Sequence, residues 1–182
     1  MTSRDSVGDD ERLRLFLALR LPGGWLDAIG AWQARTLAGR DVRVVPREHL
    51  HMTLVFLGST PAADAPGVVD RLRRAAASAG PIRLHPERYR ETRTAAMLTF
   101  HDEGGAGGAL ADAVGRDEGR PWLPHVTVAR YRERPRLRED FPDTIRTDVL
   151  VPSDAAAYLS RLRPTGAEYD VLAAFDLKAR LA

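Results

Sequence analysis

Two short stretches of this chain carry the same pattern, and together they constrain its fold more than any other feature. Residues 51–54 read His-Met-Thr-Leu and residues 125–128 read His-Val-Thr-Val. Residues two positions apart in a β-strand lie on the same face, about 6.6 Å apart along it. Each stretch therefore predicts a strand with an imidazole and a hydroxyl on one face and two buried apolar side chains on the other.

Chance is a poor explanation for the match between the two stretches. Two of the five histidines, His51 and His125, have a threonine two positions further on, although the chain has only eleven threonines. The four flanking positions are all apolar, in a chain that is 44% hydrophobic. A single histidine in a strand is most often a structural residue with a satisfied hydrogen bond. A matched pair instead indicates a site where two imidazoles act together.

At these residues the chain resembles the 2H phosphoesterases, a family named for two His-x-Thr-x motifs, and in particular the LigT-like RNA 2′,3′-cyclic phosphodiesterases. The similarity extends over residues 12–178. The further matching stretches are residues 14–19 (Arg-Leu-Phe-Leu-Ala-Leu), 44–50 before the first motif, 56–58 after it, 129–130 after the second motif, and 160–169 near the C-terminus.

The resemblance implies that the chain hydrolyses RNA 2′,3′-cyclic phosphate ends to 2′-phosphomonoesters without a cofactor or a metal. His51 would be the general acid to the 3′ oxygen, and His125 the general base to water. Thr53 and Thr127 would bind the phosphate, and the family places an arginine near the phosphate at the position of Arg130. The partner would be an RNA or a nucleotide with a cyclic phosphate end.

The residue types suit this chemistry. Imidazole titrates near pH 6.5, so one ring can accept a proton from water while the other donates one to the leaving oxygen. Each role typically contributes about 10²- to 10⁴-fold. The charge that develops on the phosphate oxygens needs hydrogen-bond donors, which two hydroxyls can supply. Arg130 lies five residues after His125, on the opposite face of a regular strand, so a bulge or a strand end would have to turn it towards the site.

Two other kinds of function stay open from the residues alone. One is a metal-dependent hydrolase with His51, His125 and also His49 as ligands, although no carboxylate accompanies either motif at a spacing such as His-Glu-x-x-His. The other is a non-catalytic RNA- or nucleotide-binding module. The family is also associated with RNA 2′–5′ ligation, which would use the same site in reverse. The candidate substrates are tRNA-like ends, oligonucleotides, cyclic nucleotides and ADP-ribose cyclic phosphate.

The order of elements predicts an α+β fold. We expect one bilobal domain over residues 12–182, in which two antiparallel sheets form a central cleft with helices outside and the lobes are duplicated about a pseudo-two-fold axis. Residues 1–11 are predicted to be a disordered tail. The predicted strands are 12–20, 42–45, 49–57, 82–91, 95–100, 122–131, 145–151 and 169–177, and the predicted helices are 22–39, 68–79 and 109–117. Residues 155–162 are ambiguous by propensity, since alanine favours helix, and the resemblance implies that they form a strand paired with 169–177.

Composition narrows the setting. The absence of cysteine excludes disulfides and cysteine nucleophiles. The polar N-terminus does not resemble a signal peptide, and no run reaches the 18 apolar residues of a membrane helix, so we expect a cytoplasmic protein. We also expect a monomer. The net charge of +2 is too small to indicate a polyanionic partner by itself. Gly104–Gly108 lacks the lysine of a P-loop and is interpreted as a loop. The candidates for stacking a base are Phe56, Tyr89, Tyr131 and Tyr158.

Overall fold

The computed structural model describes residues 11–116, 119–137, 140–164 and 166–177. The strands of this part of the chain are β1 Arg12–Arg20, β2 Arg43–Val44, β3 His51–Pro61, β4 Arg83–Glu91, β5 Ala95–Glu103, β6 His125–Arg130, β7 Asp154–Arg163 and β8 Gly166–Asp176. The helices are α1 Gly23–Thr36, α2 Ala65–Ser78 and α3 Ala106–Ala113, with short 3-10 turns at Arg47–His49, Ala62–Asp64 and Asp143–Ile145.

The strands form two four-stranded antiparallel sheets. The first has the order β3-β1-β7-β8 and the second the order β2-β6-β5-β4. The two motif strands, β3 and β6, therefore belong to different sheets, and they pack against each other. The predicted α+β fold with two antiparallel sheets is confirmed. The lobes are not successive halves of the chain, because the closing strands β7 and β8 return to pair with β1.

The alternation along β1 shows how the sequence builds the first sheet. Leu15, Leu17 and Leu19 are at most 2% exposed and belong to the main hydrophobic core. Burying a leucine side chain stabilises the fold by about 1.5–3 kcal/mol. Phe16 and Ala18, on the opposite face, form a smaller cluster together with residues of β7. One face of this sheet therefore packs on the main core, and the opposite face lies towards the cleft.

Each sheet has a helix against its core side. Helix α2 packs on β7 and β8 of the first sheet. Helix α1 lies on the second sheet, where the Trp25 ring contacts Phe100 of β5 and the Gln33 side chain donates a 2.8 Å hydrogen bond to the Val128 carbonyl of β6. Gln33 is 4% exposed, so this bond satisfies a buried amide and fixes α1 to the second motif strand.

Three sequence predictions need correction. The first motif strand does not end at Gly58 but continues to Pro61, because Gly58 adopts a positive φ of 65° where the register between β1 and β3 shifts. Residues 145–151 are not a strand, since Leu150 makes only an isolated bridge to Leu84. The glycine-rich stretch is not entirely a loop, because α3 begins at Ala106.

Two predictions lie partly or wholly outside the described residues. The predicted disordered tail covers residues 1–11, of which only Glu11 is described. The predicted end of the third helix at Asp117 also lies outside, and the described helix ends at Ala113. Among the described residues, no helix is long and apolar enough to cross a membrane.

Candidate active site

A cavity of about 720 Å³ contains both motifs. Its lining includes the imidazoles of His51 and His125 and the side chains of Thr53 and Thr127. The intervening and following apolar residues of both motifs are at most 2% exposed, as the strand alternation predicts: Met52, Leu54, Val126 and Val128. The sequence pattern of each motif thus becomes a polar face on the cavity and an apolar face on the core.

The two histidines are held by the same local hydrogen bond. Nδ1 of His51 lies 2.6 Å from the carbonyl oxygen of His49, and Nδ1 of His125 lies 2.8 Å from the carbonyl oxygen of Leu123. A carbonyl oxygen only accepts hydrogen bonds, so each Nδ1 carries a hydrogen and donates it. This leaves Nε2 of each ring as the atom that can accept or deliver a proton.

The surroundings of His51 are aromatic. The ring centroids of Phe16, Tyr169 and Tyr158 lie 5.0, 5.5 and 5.9 Å from that of His51. Burial lowers the pKa of His51 from 6.5 to about 4, and the hydrogen bond to the carbonyl of His49 offsets only part of this effect.

Neighbouring charges also act on His51. Electrostatic repulsion from His125, His49 and Arg130 contributes to the same lowering. This effect requires that these groups lie close to the ring, so the second motif acts electrostatically on the first. In this arrangement His51 is an uncharged imidazole at neutral pH.

A bulge turns Arg130 into the cavity. Thr127 pairs with Met97 of β5 and Ala129 pairs with Ala96, so Val128 has no partner on that strand. A bulge of this kind adds one residue and shifts the alternation of the strand. Arg130 consequently lines the same cavity as Thr127, although regular alternation would place it on the other face. The sequence analysis expected that a bulge or a strand end would be needed to turn Arg130 towards the site, and the bulge at Val128 does this.

The first motif strand has the same irregularity at the same place. Thr53 pairs with Ala18 of β1 and Val55 pairs with Leu17, so Leu54 is left without a partner. Phe56, three residues after Thr53, then lines the cavity with 54% of its surface exposed. The two motifs therefore share a bulge at their fourth residue, which brings one further side chain into the cavity from each lobe.

Trp122 connects the two motifs. Its indole Nε1 donates a 2.9 Å hydrogen bond to the backbone carbonyl of Thr53, across the lobes. Its ring packs so closely on Gly107 of α3 that a Cβ there would lie 2.4 Å from the ring. Trp122 thus fixes the spacing between the lobes. The sequence analysis missed this role of Trp122. The only sequence signal for it is the position of Trp122 three residues before His125.

The structure sorts the remaining candidates. Of the four stacking candidates, only Phe56 lines the cavity; Tyr131 and Tyr158 are 8% exposed, and Tyr89 bonds to Glu91. His49 also lines the cavity. The cavity residues that the sequence analysis did not single out include Arg43, Arg116, Arg120, Trp122 and Tyr169.

The metal-ligand alternative receives no support from the side-chain geometry. Within the described ranges, no three His, Asp, Glu or Cys side chains come together in a way that could hold a metal ion. The side chain of His49 packs instead against the ring of Tyr169, with centroids 4.8 Å apart.

Comparison with known proteins agrees with these features. The family model described as LigT like Phosphoesterase matches residues 20–90, a span that contains the first motif and ends before the second. The RNA 2′,3′-cyclic phosphodiesterase of Thermus thermophilus is 28% identical over 183 residues, which cover 91% of each chain.

Solved structures share the fold. A crystal structure of a Thermus thermophilus protein superposes with a TM-score of 0.74 at 27% identity, covering 93% of this chain and 100% of the other. Escherichia coli LigT in complex with 3′-AMP superposes with a TM-score of 0.76 at 21% identity, covering 92% and 99%. The resemblance to LigT-like phosphoesterases is confirmed: the family model matches residues 20–90, and the chain shares the fold of the LigT structures along more than nine-tenths of its length.

Proposed function

We propose that the chain hydrolyses the 2′,3′-cyclic phosphate ends of RNA and leaves a 2′-phosphomonoester. The observation that carries the proposal is the pair of imidazoles in one cavity, each with Nδ1 bonded to a backbone carbonyl and Nε2 available. The name of the Thermus thermophilus relative supports the substrate, and the 3′-AMP complex of Escherichia coli LigT supports a nucleotide in this fold.

In the proposed reaction the oxygen of a water molecule attacks the phosphorus and the bond from phosphorus to O3′ breaks. Nε2 of His125 takes a proton from the water, and Nε2 of His51 gives a proton to O3′. The hydroxyls of Thr53 and Thr127 and the guanidinium of Arg130 donate hydrogen bonds to the non-bridging oxygens, where charge develops. No step needs a metal or a cofactor.

The assignment of His51 as the acid makes a demand on the substrate. Without a bound anion the pKa of His51 is lowered to about 4 by burial, which favours the neutral ring and would suit a base. An anionic phosphodiester placed against the ring favours its protonated form and raises its pKa. The acid assignment rests on the family resemblance and requires His51 to gain its proton as the substrate binds.

The function is tested with an oligonucleotide that ends in a 2′,3′-cyclic phosphate, incubated with the protein and a chelator. We expect turnover to persist, and ³¹P NMR to find the phosphate on the 2′ oxygen. A 3′-phosphate product, or activity that disappears with the chelator and returns with a metal, contradicts the proposal. Tight binding without any product would indicate the non-catalytic module.

The two roles are separated with a phosphodiester whose leaving group is 4-nitrophenolate, which departs without a proton. The variant that lacks the general acid should keep most of its activity on this ester, whereas the variant that lacks the base should lose it. We expect His51→Ala to keep the activity and His125→Ala to lose it. The opposite result exchanges the two roles.

A cytoplasmic location and a monomeric state stay predictions.

A further inference from the structure

Arginines dominate the charge of the cavity. Four of them line it, namely Arg43, Arg116, Arg120 and Arg130. The only described carboxylate in the lining is Glu168, which forms a 3.1 Å ion pair with Arg163. Positive charge is therefore concentrated here in a molecule whose net charge is only +2. The proposed reaction uses Arg130, and Arg116 forms an ion pair with Asp112 of α3. Arg43 and Arg120 have no role in that reaction.

Two of the arginines lie side by side on neighbouring strands. Arg43 of β2 is the register partner of Arg130 of β6, and both line the cavity. Cα atoms of directly opposed residues in antiparallel strands are about 4.5–5.5 Å apart, and like charges at such a position destabilise a sheet. Within the described ranges, neither arginine has a carboxylate partner. An unrelieved pair of this kind, facing a cavity, is a site for anions.

The position of Arg43 is also defined from the other lobe. A Cβ on Gly166, at the start of β8, would lie 2.9 Å from Nη1 of Arg43, so the guanidinium reaches across the cleft to the backbone of the first sheet. Arginine suits bidentate recognition of a phosphate. We propose that Arg43 binds a second phosphate of the substrate, next to the reactive phosphate held by Arg130.

This inference rests on the proposed function and narrows its substrate class. A nucleoside 2′,3′-cyclic phosphate carries only the reactive phosphate. A nucleoside 2′,3′-cyclic phosphate with a 5′-phosphate, and a dinucleotide with a cyclic phosphate end, each carry one more. The protein therefore prefers the second and third substrates to the first, and the comparison of these two shows whether the additional phosphate is a terminal 5′-phosphate or an internucleotide linkage.

The test measures kcat/KM for the three substrates with the wild-type protein, Arg43→Gln and the control Arg40→Gln, which removes the same charge from an exposed residue outside the cavity. We expect the wild type to prefer a second phosphate about 10-fold, as suits a hydrogen bond to a charged group. In Arg43→Gln the preference falls towards 1, because turnover of the two substrates with a second phosphate falls more than turnover of the simple nucleoside substrate. Arg40→Gln behaves as the wild type.

Salt dependence provides a second readout that a purely structural role would not change. For the dinucleotide, the slope of log kcat/KM against log salt should become shallower by about 0.7 in Arg43→Gln, as expected for one lost phosphate contact on a single strand. The proposal is overturned if the wild type has no preference, or if Arg43→Gln lowers turnover of all three substrates equally.

The proposed function could fail while this inference holds, and binding separates the two. If the protein hydrolyses none of the substrates, calorimetry with adenosine 2′,5′-bisphosphate and adenosine 2′-phosphate decides the role of Arg43. We expect the bisphosphate to bind the wild type about 10-fold more tightly, and Arg43→Gln to remove that difference. Equal affinities in the wild type refute the second-phosphate site.

Discussion

The two motif strands, β3 and β6, use the same backbone and present different chemistry. In both, the fourth motif residue, Leu54 or Val128, is a bulge that lacks a partner on the neighbouring strand. In both, the residue three positions after the threonine enters the cavity. That residue is the exposed aromatic ring of Phe56 in one lobe and the guanidinium of Arg130 in the other.

The difference gives the cavity two unlike walls. Phe56 continues an aromatic group on the first sheet, since its ring stacks on that of Phe16 of β1 with centroids 5.3 Å apart. Arg130 stands beside Arg43 on the second sheet. A nucleotide has an apolar, flat base and an anionic phosphate, and these match the two walls. The duplicated frame thus supplies the two histidines, while the residues that follow the motifs give the cavity one aromatic wall and one cationic wall.

Of the two walls, the cationic one is expected to give the larger effect. Arg130→Gln should lower kcat/KM for the cyclic phosphate by about 10²- to 10³-fold, because it removes a donor to the phosphate oxygens. The matched control is Arg132→Gln, two positions further on, exposed and outside the cavity lining. A loss below about 3-fold in Arg130→Gln, with an unchanged melting temperature, would remove Arg130 from the site.

The two threonines test whether the lobes contribute equally. Thr53→Ala and Thr127→Ala should each lower kcat/KM by about 10- to 100-fold, the value of a hydrogen bond to a charged group. Serine keeps the hydroxyl, so Thr53→Ser and Thr127→Ser should recover most of the activity. If serine does no better than alanine at either position, the threonine of that lobe acts through packing and not through its hydroxyl.

A smaller effect is expected from the aromatic wall. Phe56→Ala should raise KM for a nucleoside cyclic phosphate about 10-fold, as stacking of a base on an aromatic side chain is worth about 1–3 kcal/mol. The value of kcat should change little, because stacking holds the substrate and the transition state equally. Phe56→Tyr is the control that keeps the ring. A fall in kcat at constant KM would place Phe56 in the chemistry instead of the binding of the base.

The last prediction concerns the stability of the protein and not its activity. Because burial lowers the pKa of His51 to about 4, the unfolded state binds more protons than the folded state between pH 6.5 and 4. This contribution to stability is present above pH 6.5 and is lost as the pH falls through this window. The free energy of unfolding of the wild type, relative to His51→Gln, should fall by up to about 3 kcal/mol from pH 7 to pH 4. The free energies of unfolding are measured by urea titration at each pH. If those of the wild type and His51→Gln change in parallel with pH, the lowered pKa is contradicted.

The sequence was sufficient to predict the features that follow from regular spacing along the chain. Alternation predicted β1 and both motif strands, and the His-x-Thr spacing predicted which side chains share a face. It could not predict features that depend on distant parts of the chain. The bulges at Leu54 and Val128 arise from pairing with β1 and β5, and the role of Trp122 depends on a bond to a residue 69 positions away. No sequence signal distinguishes Arg43 from the other arginines, of which the chain has 26 in total. Its place in the cavity depends on the pairing of β2 with β6, which puts it opposite Arg130.

The central claim is that the imidazoles of His51 and His125 act on one phosphate in the same step. It is tested most directly by kcat/KM of His51→Ala, His125→Ala and the double variant on a 2′,3′-cyclic phosphate, with thermal unfolding to verify the fold. Each single variant should have a kcat/KM about 10²- to 10⁴-fold below the wild type. The kcat/KM of the double variant should lie little below that of the less active single variant, because the effects of groups that act as a unit are not additive. Wild-type turnover in either single variant, or losses that multiply in the double variant, would contradict the account.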